Sequence, residues 1–294
     1  MPSLKAIKTR IGSVKNTQKI TRAMKLVAAA KMKRAVDAAV ASRPYSDEVT
    51  AVLRSLMARL GDAQHPLLQP HENVTKAALV VLTSDRGLCG GFNSQLIRKV
   101  DGWLHDNVKI DARYESVELI VFGKKARDGL QRRTDVEHGR TTVDLHPNQF
   151  QDLSAKLIAE LNDRFISGEL DEVYIAYNRF VSTLNQEPTI EQLFPLTALA
   201  NDTAEEPEHL TQFVYEPSQT AILGDILPLF LRTRIFQVFL ESEAGEHAAR
   251  MMAMDGATRN AKKVIDDLTL VYNRARQAAI TKELIEIVSG AEAL

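Results

Sequence analysis

The residues best placed for chemistry fall in one short stretch, Ser84-Asp85-Arg86-Gly87-Leu88-Cys89-Gly90-Gly91-Phe92-Asn93, between an apolar run and a helical one. A dinucleotide-binding fold puts its phosphate loop there, because glycines let the backbone approach a pyrophosphate and a helix start offers free N–H groups. The spacing does not fit that chemistry. The glycines run G-x-x-G-G rather than G-x-G-x-x-G, and no lysine followed by Ser or Thr completes a Walker pattern. The stretch reads as a tight loop whose glycines adopt positive φ, with Asn93 or Ser94 capping the helix behind it. Cys89 is the only cysteine, which excludes an intrachain disulfide and a Cys-rich zinc site. With no recognisable Cys-His arrangement it reads as a small packed thiol rather than a nucleophile. The seven histidines show no metal-ligand spacing. No catalytic residue, cofactor site or metal site is expected.

The elements around this loop dominate the sequence. The chain has 294 residues, 45% apolar and 26% charged, ample for a buried core and close to the globular average. From Leu4 to about Leu60 nearly every residue is compatible with helix, and small or apolar side chains recur at Leu4, Ile7, Ile11, Val14, Thr17, Thr21, Met24, Ala28, Met32, Ala35 and Ala39. The far end repeats the signal. Ala261, Val264, Leu268, Val271, Ala275 and Ala278 step by three and four, the spacing that keeps one helix face toward a partner helix. Ile235, Phe236, Val238 and Phe239 extend this helix back toward Pro228. About 60 helical residues span roughly 90 Å, and two such helices without partners would leave apolar stripes in water. They are expected to wrap each other as an antiparallel coiled coil; the competing arrangement packs them as ordinary amphipathic helices on the central domain.

Between them the period changes. Ala77–Leu82, Val117–Phe122 and Val173–Tyr177 are short β-branched runs that read as buried strands, with helices at about Asn93–His105, Lys124–Arg132 and Asn148–Ser167. The alternation implies right-handed crossovers and a mainly parallel sheet from about Val74 to Val181. The expected fold is therefore α/β, a long antiparallel coiled coil of N- and C-terminal helices plus a small Rossmann-like α/β domain. Its expected parts are residues 1–60, 74–200, an acidic linker at 201–218, and 219–294. The most apolar window, Ala221–Leu231, contains Asp225 and Pro228 and falls short of the roughly 20 residues that cross a bilayer.

Charge is balanced overall, 37 basic against 38 acidic residues, but not locally. The first helix carries Lys5, Lys8, Arg10, Lys15, Lys19, Arg22, Lys25, Lys31, Lys33, Arg34 and Arg43 against Asp37 alone. Nucleic acid, an anionic membrane surface and an acidic protein loop all match such a face. The lack of interleaved aromatics disfavours single-stranded nucleic acid. An enzyme with helical arms would bind ATP or NAD at Gly87–Asn93, and a nucleic-acid adaptor would show steeply salt-dependent binding.

The run Ile11-Gly12-Ser13-Val14-Lys15-Asn16-Thr17-Gln18-Lys19-Ile20-Thr21-Arg22-Ala23-Met24-Lys25-Leu26-Val27-Ala28-Ala29-Ala30-Lys31-Met32 closely resembles the gamma subunits of rotary F-type ATP synthases. The loop Asp85–Gly91 and the segments Ala248–Met254, Val271–Ala278 and Ile280–Ala291 resemble that family in the same order, so the resemblance covers essentially the whole chain. It implies a central stalk rotor of bacterial type, without catalytic residues, that transmits torque between the proton-driven c ring and the catalytic hexamer. Implied partners are three alpha and three beta subunits, the epsilon subunit and the c ring, with one copy of this chain per complex and no nucleic acid. The implied location is peripheral, on the cytoplasmic side of the bacterial inner membrane. By the same resemblance Met24 with Lys25, Arg86 with Cys89, and Arg250 match a basic collar facing acidic stator loops; Arg276 and Gln277 match an upper contact with beta; Tyr215 matches the foot near the c ring. Lys282 interrupts the heptad, so the last turns are expected to run on as a single helix. Plant-type members carry an inserted regulatory dithiol, which a chain with one cysteine lacks.

Overall fold

The computed structural model describes residues 3–60, 65–132, 135–196 and 219–292. Helix α1 (Leu4–Leu60) and helix α5 (Gln219–Glu292) enclose an alternating series: β1 (Lys76–Leu82), α2 (Phe92–Leu104), β2 (Ser116–Phe122), α3 (Lys124–Leu130), β3 (Glu137–Thr142), α4 (Phe150–Ile166), β4 (Glu172–Phe180) and β5 (Gln186–Phe194). The chain forms two compact units. One joins α1 up to Ala30 with α5 from Arg250 onward; the other runs from Lys31 to Ala249.

In the first unit the two helices run antiparallel: Thr21 meets Thr258 and Lys25 meets Asp255, so numbers rise on one helix as they fall on the other. The α1 seam is Leu4, Ile7, Ile11, Val14, Gln18, Thr21, Met24 and Ala28, with Gln18 in place of the expected Thr17, which is exposed. The α5 seam differs more. Ala261, Leu268 and Ala275 face inward as expected, but Val264 and Val271 are 40% and 48% exposed, and Ile265, Tyr272 and Ala279 take the places assigned to Val264, Val271 and Ala278. Steps of 4-3-4-3 and 3-4-3-4 share half their positions, so spacing alone does not choose between them. The larger Ile265 and Tyr272 fill more of the space opposite small α1 residues, and burial follows area.

In the second unit the sheet order is β3-β2-β1-β4-β5. β1 pairs in parallel with β2 and β4, and β2 with β3, while β5 returns antiparallel along β4. Strand alternation divides the apolar residues between two layers. Ala77, Leu79 and Val81 face α2 and α3 through Leu96, Val100, Ala126 and Leu130. Ala78, Val80 and Leu82 face α4 and the first part of α5, through Leu157, Leu161, Leu227, Leu231 and Ile235, with Leu53 of α1.

The first part of α5 thus packs on the sheet as well as beside α1. From Leu223 to Phe239, α5 carries Leu, Ile, Val and Phe, large enough to cover a sheet face; beyond Arg250 its buried positions are largely Ala, Met and Thr, which suit close helix approach. Both sequence-level arrangements occur, each on its own stretch. Two strands went unread. β3, Glu-His-Gly-Arg-Thr-Thr, is almost wholly polar because it lies on the sheet edge, and β5 contains Pro188, whose missing N–H an edge strand tolerates. Segment 201–218, with Tyr215, lies outside the described residues.

Candidate interaction surfaces

The loop after β1 is built from inward-turned polar groups. Thr83 N–H donates to Phe122 O at 2.8 Å, and its hydroxyl receives Ala126 N–H at 2.8 Å. Asn93 turns back into the loop: its Oδ1 accepts Ser84 N–H at 3.0 Å, and its Nδ2 donates to Ser84 Oγ at 2.8 Å and toward Cys89 Sγ at 3.1 Å. It does not cap α2, nor does Ser94; the position before the helix is Gly91, with no side-chain cap. Asp85 holds the outer wall, accepting Lys124 N–H at 2.9 Å and Leu145 N–H at 3.1 Å. The left-handed residues are Leu88 (φ 64°) and Gly90 (φ 58°), whereas Gly87 and Gly91 are not left-handed.

This geometry opposes a phosphate site. A phosphate cradle needs free backbone N–H groups and no carboxylate. Here the N–H groups of Ser84, Lys124 and Leu145 already donate, and Asp85 occupies the wall. What the loop presents outward is Arg86 and Leu88, the latter 64% exposed. Cys89, matched by resemblance to a contact position, is 2% exposed, so it supports the loop from inside while Arg86 faces out.

On the helical pair, Met24 and Lys25 are half-buried and the remaining basic residues from Lys5 to Arg43 are exposed. Lys25 Nζ lies 2.6 Å from Asp255 Oδ1, and Arg259 approaches the other oxygen at 3.3 Å. The Lys25 hydrogen bond is the main cause that holds the Asp255 carboxyl below the usual carboxylate range. The Lys25 charge is thus directed first at its own chain. The Thr258 and Thr21 hydroxyl oxygens lie 2.7 Å apart, each also within hydrogen-bond reach of a carbonyl on its own helix, Met254 O at 2.7 Å and Gln18 O at 3.1 Å. Arg250 is half-buried, and Arg276 and Gln277 are exposed on α5.

Antiparallel pairing places Leu4 opposite the region of Ala275. Farther along, Ile280, Leu284, Ile287 and Val288 are 51%, 57%, 70% and 51% exposed and fall on one stripe of α5, as expected for turns that continue as a single helix. An apolar stripe of this kind is a candidate interaction surface.

One polar group escaped the sequence reading. Arg234 of α5 donates to Tyr177 Oη at 2.9 Å and lies 2.6 Å from Glu191 Oε2. Its signal was an arginine embedded in Leu229-Phe230-Leu231-Arg232-Thr233-Arg234-Ile235, an apolar stretch that must account for a half-buried cation.

The family model described as ATP synthase matches residues 3–294. An ATP synthase gamma chain of Anaeromyxobacter sp. (strain Fw109-5) is 46% identical over 300 residues, covering 100% of both chains. That of Chlorobaculum parvum is 44% identical, covering 100% of this chain and 99% of its own. Among solved structures, the rotor of the Euglena gracilis mitochondrial ATP synthase superposes with a TM-score of 0.65 at 19% identity, covering 94% of this chain and 98% of that one. The central stalk and c-ring structure from Tetrahymena thermophila gives 0.57 at 22% identity, covering 81% and 99%. At such identities the structural likeness speaks for the fold, and the sequence matches speak for the family. The chain belongs to the ATP synthase gamma-chain family.

Proposed function

We propose that this chain is the central stalk rotor of an F-type ATP synthase, a non-catalytic subunit that transmits torque between an ion-driven c ring and a hexamer of three alpha and three beta subunits. One copy serves each complex, with the epsilon subunit beside the α/β unit. The complex lies on the cytoplasmic side of a bacterial inner membrane, with this chain attached peripherally; among the described residues no helix is long and apolar enough to cross a membrane. Arg86, Arg250, Arg276 and Gln277 serve as stator contacts, Met24 and Lys25 as part of the collar, and Tyr215 as a foot contact.

The observation that carries this reading is the apolar stripe Ile280, Leu284, Ile287 and Val288, exposed on α5 among the described residues, in a chain whose residues 3–294 match the family. A stripe left exposed in this way fits a sleeve supplied by other chains. A shaft turning in that sleeve changes the nucleotide affinity of each beta subunit only through contacts that differ with angle, since equal contact in all states shifts nothing. Each tenfold change in affinity requires about 1.4 kcal/mol of such difference. Cations on long side chains supply contacts of this size that form and break without deep interlocking.

Purification of the tagged chain from its host membranes tests the proposal. The account expects alpha and beta in threefold excess over this chain, together with epsilon and the c ring. Recovery of the chain without alpha and beta, or as a self-associated species alone, would contradict it. The alternative of a nucleotide-binding enzyme is disfavoured by the Asp85 carboxylate in the loop wall, where a phosphate cradle would place none.

A further inference from the structure

We propose that Arg234 is the positioning residue that keys the driven helix of the rotor to its α/β unit, so that torque enters α5 through the β4–β5 hairpin. The proposal rests on the rotor reading and adds a force path to it. Helix α5 supplies Leu227, Leu231, Ile235, Val238 and Phe239 to the core beneath the sheet, while α1 supplies one fully buried side chain there, Leu53, among the described residues. These apolar contacts hold α5 against the sheet. Apolar attraction is non-directional, so packing by itself sets the helix angle less sharply than polar bonds of fixed geometry do and leaves more room for creep about the axis.

Directional bonds away from the axis resist that creep. Arg234 Nη2 donates to Tyr177 Oη at 2.9 Å and to Glu191 Oε2 at 2.6 Å, and Tyr177 Oη donates to Glu191 Oε1 at 2.8 Å. The three residues come from α5, β4 and β5, and their bonds close a triangle. The guanidinium also lies 5.9 Å from the centre of the Tyr177 ring, a fully buried side chain. Seven residues farther along α5, about 10 Å at helical rise, Glu241 Oε2 is buried without a hydrogen-bond partner among the described residues. The Arg234 and Glu191 side chains are each 29% exposed, so removing the arginine leaves a half-buried carboxyl group without its partner. The hairpin and helix would then lose their fixed angle before they lost contact.

The test uses the assembled membrane complex in sealed vesicles, carrying Arg234→Gln or Tyr177→Phe in this chain. Tyr177→Phe keeps the ring and removes only the bridging hydroxyl, so it remains informative if Arg234→Gln fails to assemble. The measurements are unloaded ATP hydrolysis, ions pumped per ATP against a gradient, and thermal unfolding. The proposal expects hydrolysis to persist while ions pumped per ATP fall, with Arg234→Lys restoring part of the loss because it keeps the charge but not the planar fork. A pumping ratio equal to wild type in both variants, even with a lowered unfolding temperature, would overturn it and leave Arg234 a packing residue. Failure of the unmodified complex to pump at all would instead defeat the rotor reading.

Discussion

Asp171, at the start of β4, shows how much depends on single polar groups in this chain. Its carboxylate accepts the backbone N–H of Thr75 and Lys76 at 2.9 and 2.8 Å and lies 2.9 Å from His71 Nδ1. Burial works against its ionisation, but the His71 bond and the two N–H donors together outweigh burial and hold the carboxyl below its usual range. A depressed folded-state pKa gives stability that is present above the ordinary carboxylate pKa and lost as pH falls through the folded value. Asp171→Asn is therefore expected to lower the stability of the full chain by about 1–3 kcal/mol near pH 7. The deficit should vanish in acid, as urea unfolding at a series of pH values will show. Gly123 is constrained by shape. With φ 100° and a hypothetical Cβ only 2.3 Å from Thr83 O, it admits no side chain, and Gly123→Ala should abolish soluble expression or cost several kcal/mol, read by denaturant unfolding. The sequence showed the loop and its packed thiol, since both follow from glycine and cysteine chemistry. It did not show that Asp85 clamps Lys124 and Leu145, because those partners lie far along the chain, nor that Asn93 turns inward to Ser84 and Cys89, because an Asn at a helix start reads equally as a cap.

Among the elements, the central strands and α2, α3 and α4 were legible because each is bounded by turns and buried on a consistent face. β3 and β5 were not, since edge strands carry little apolar signal and make sense only beside β2 and β4. The register of α5 was half legible. Ile265→Ser should destabilise the full chain while Val264→Ser leaves thermal unfolding almost unchanged; the reverse order would restore the spacing-based register. The narrowness of the helical pair has its own test. Ala28 is 2% exposed in the seam, so Ala28→Leu forces the helices apart and should cost about 1–3 kcal/mol, measured by calorimetry.

At the scale of the whole molecule, the family was legible from long strings in order, and the surfaces that carry function were legible only as charge and periodicity. Arg276 is exposed on α5. Reversing it to Glu should reduce rotation-coupled ATP hydrolysis in the reconstituted complex while leaving the unfolding temperature of the isolated chain within the small range typical of surface substitutions. An unchanged coupled rate would remove Arg276 from the stator contacts. The central claim is that this chain turns as others hydrolyse. Its most direct measurement fixes the alpha and beta subunits to a surface, attaches a visible probe to the α/β unit of this chain, and supplies ATP. The account predicts continuous rotation in one direction, with one step for each catalytic subunit, and rotation that stops when ATP is withdrawn. A probe that stays at one angle while ATP is hydrolysed at the full rate would contradict it.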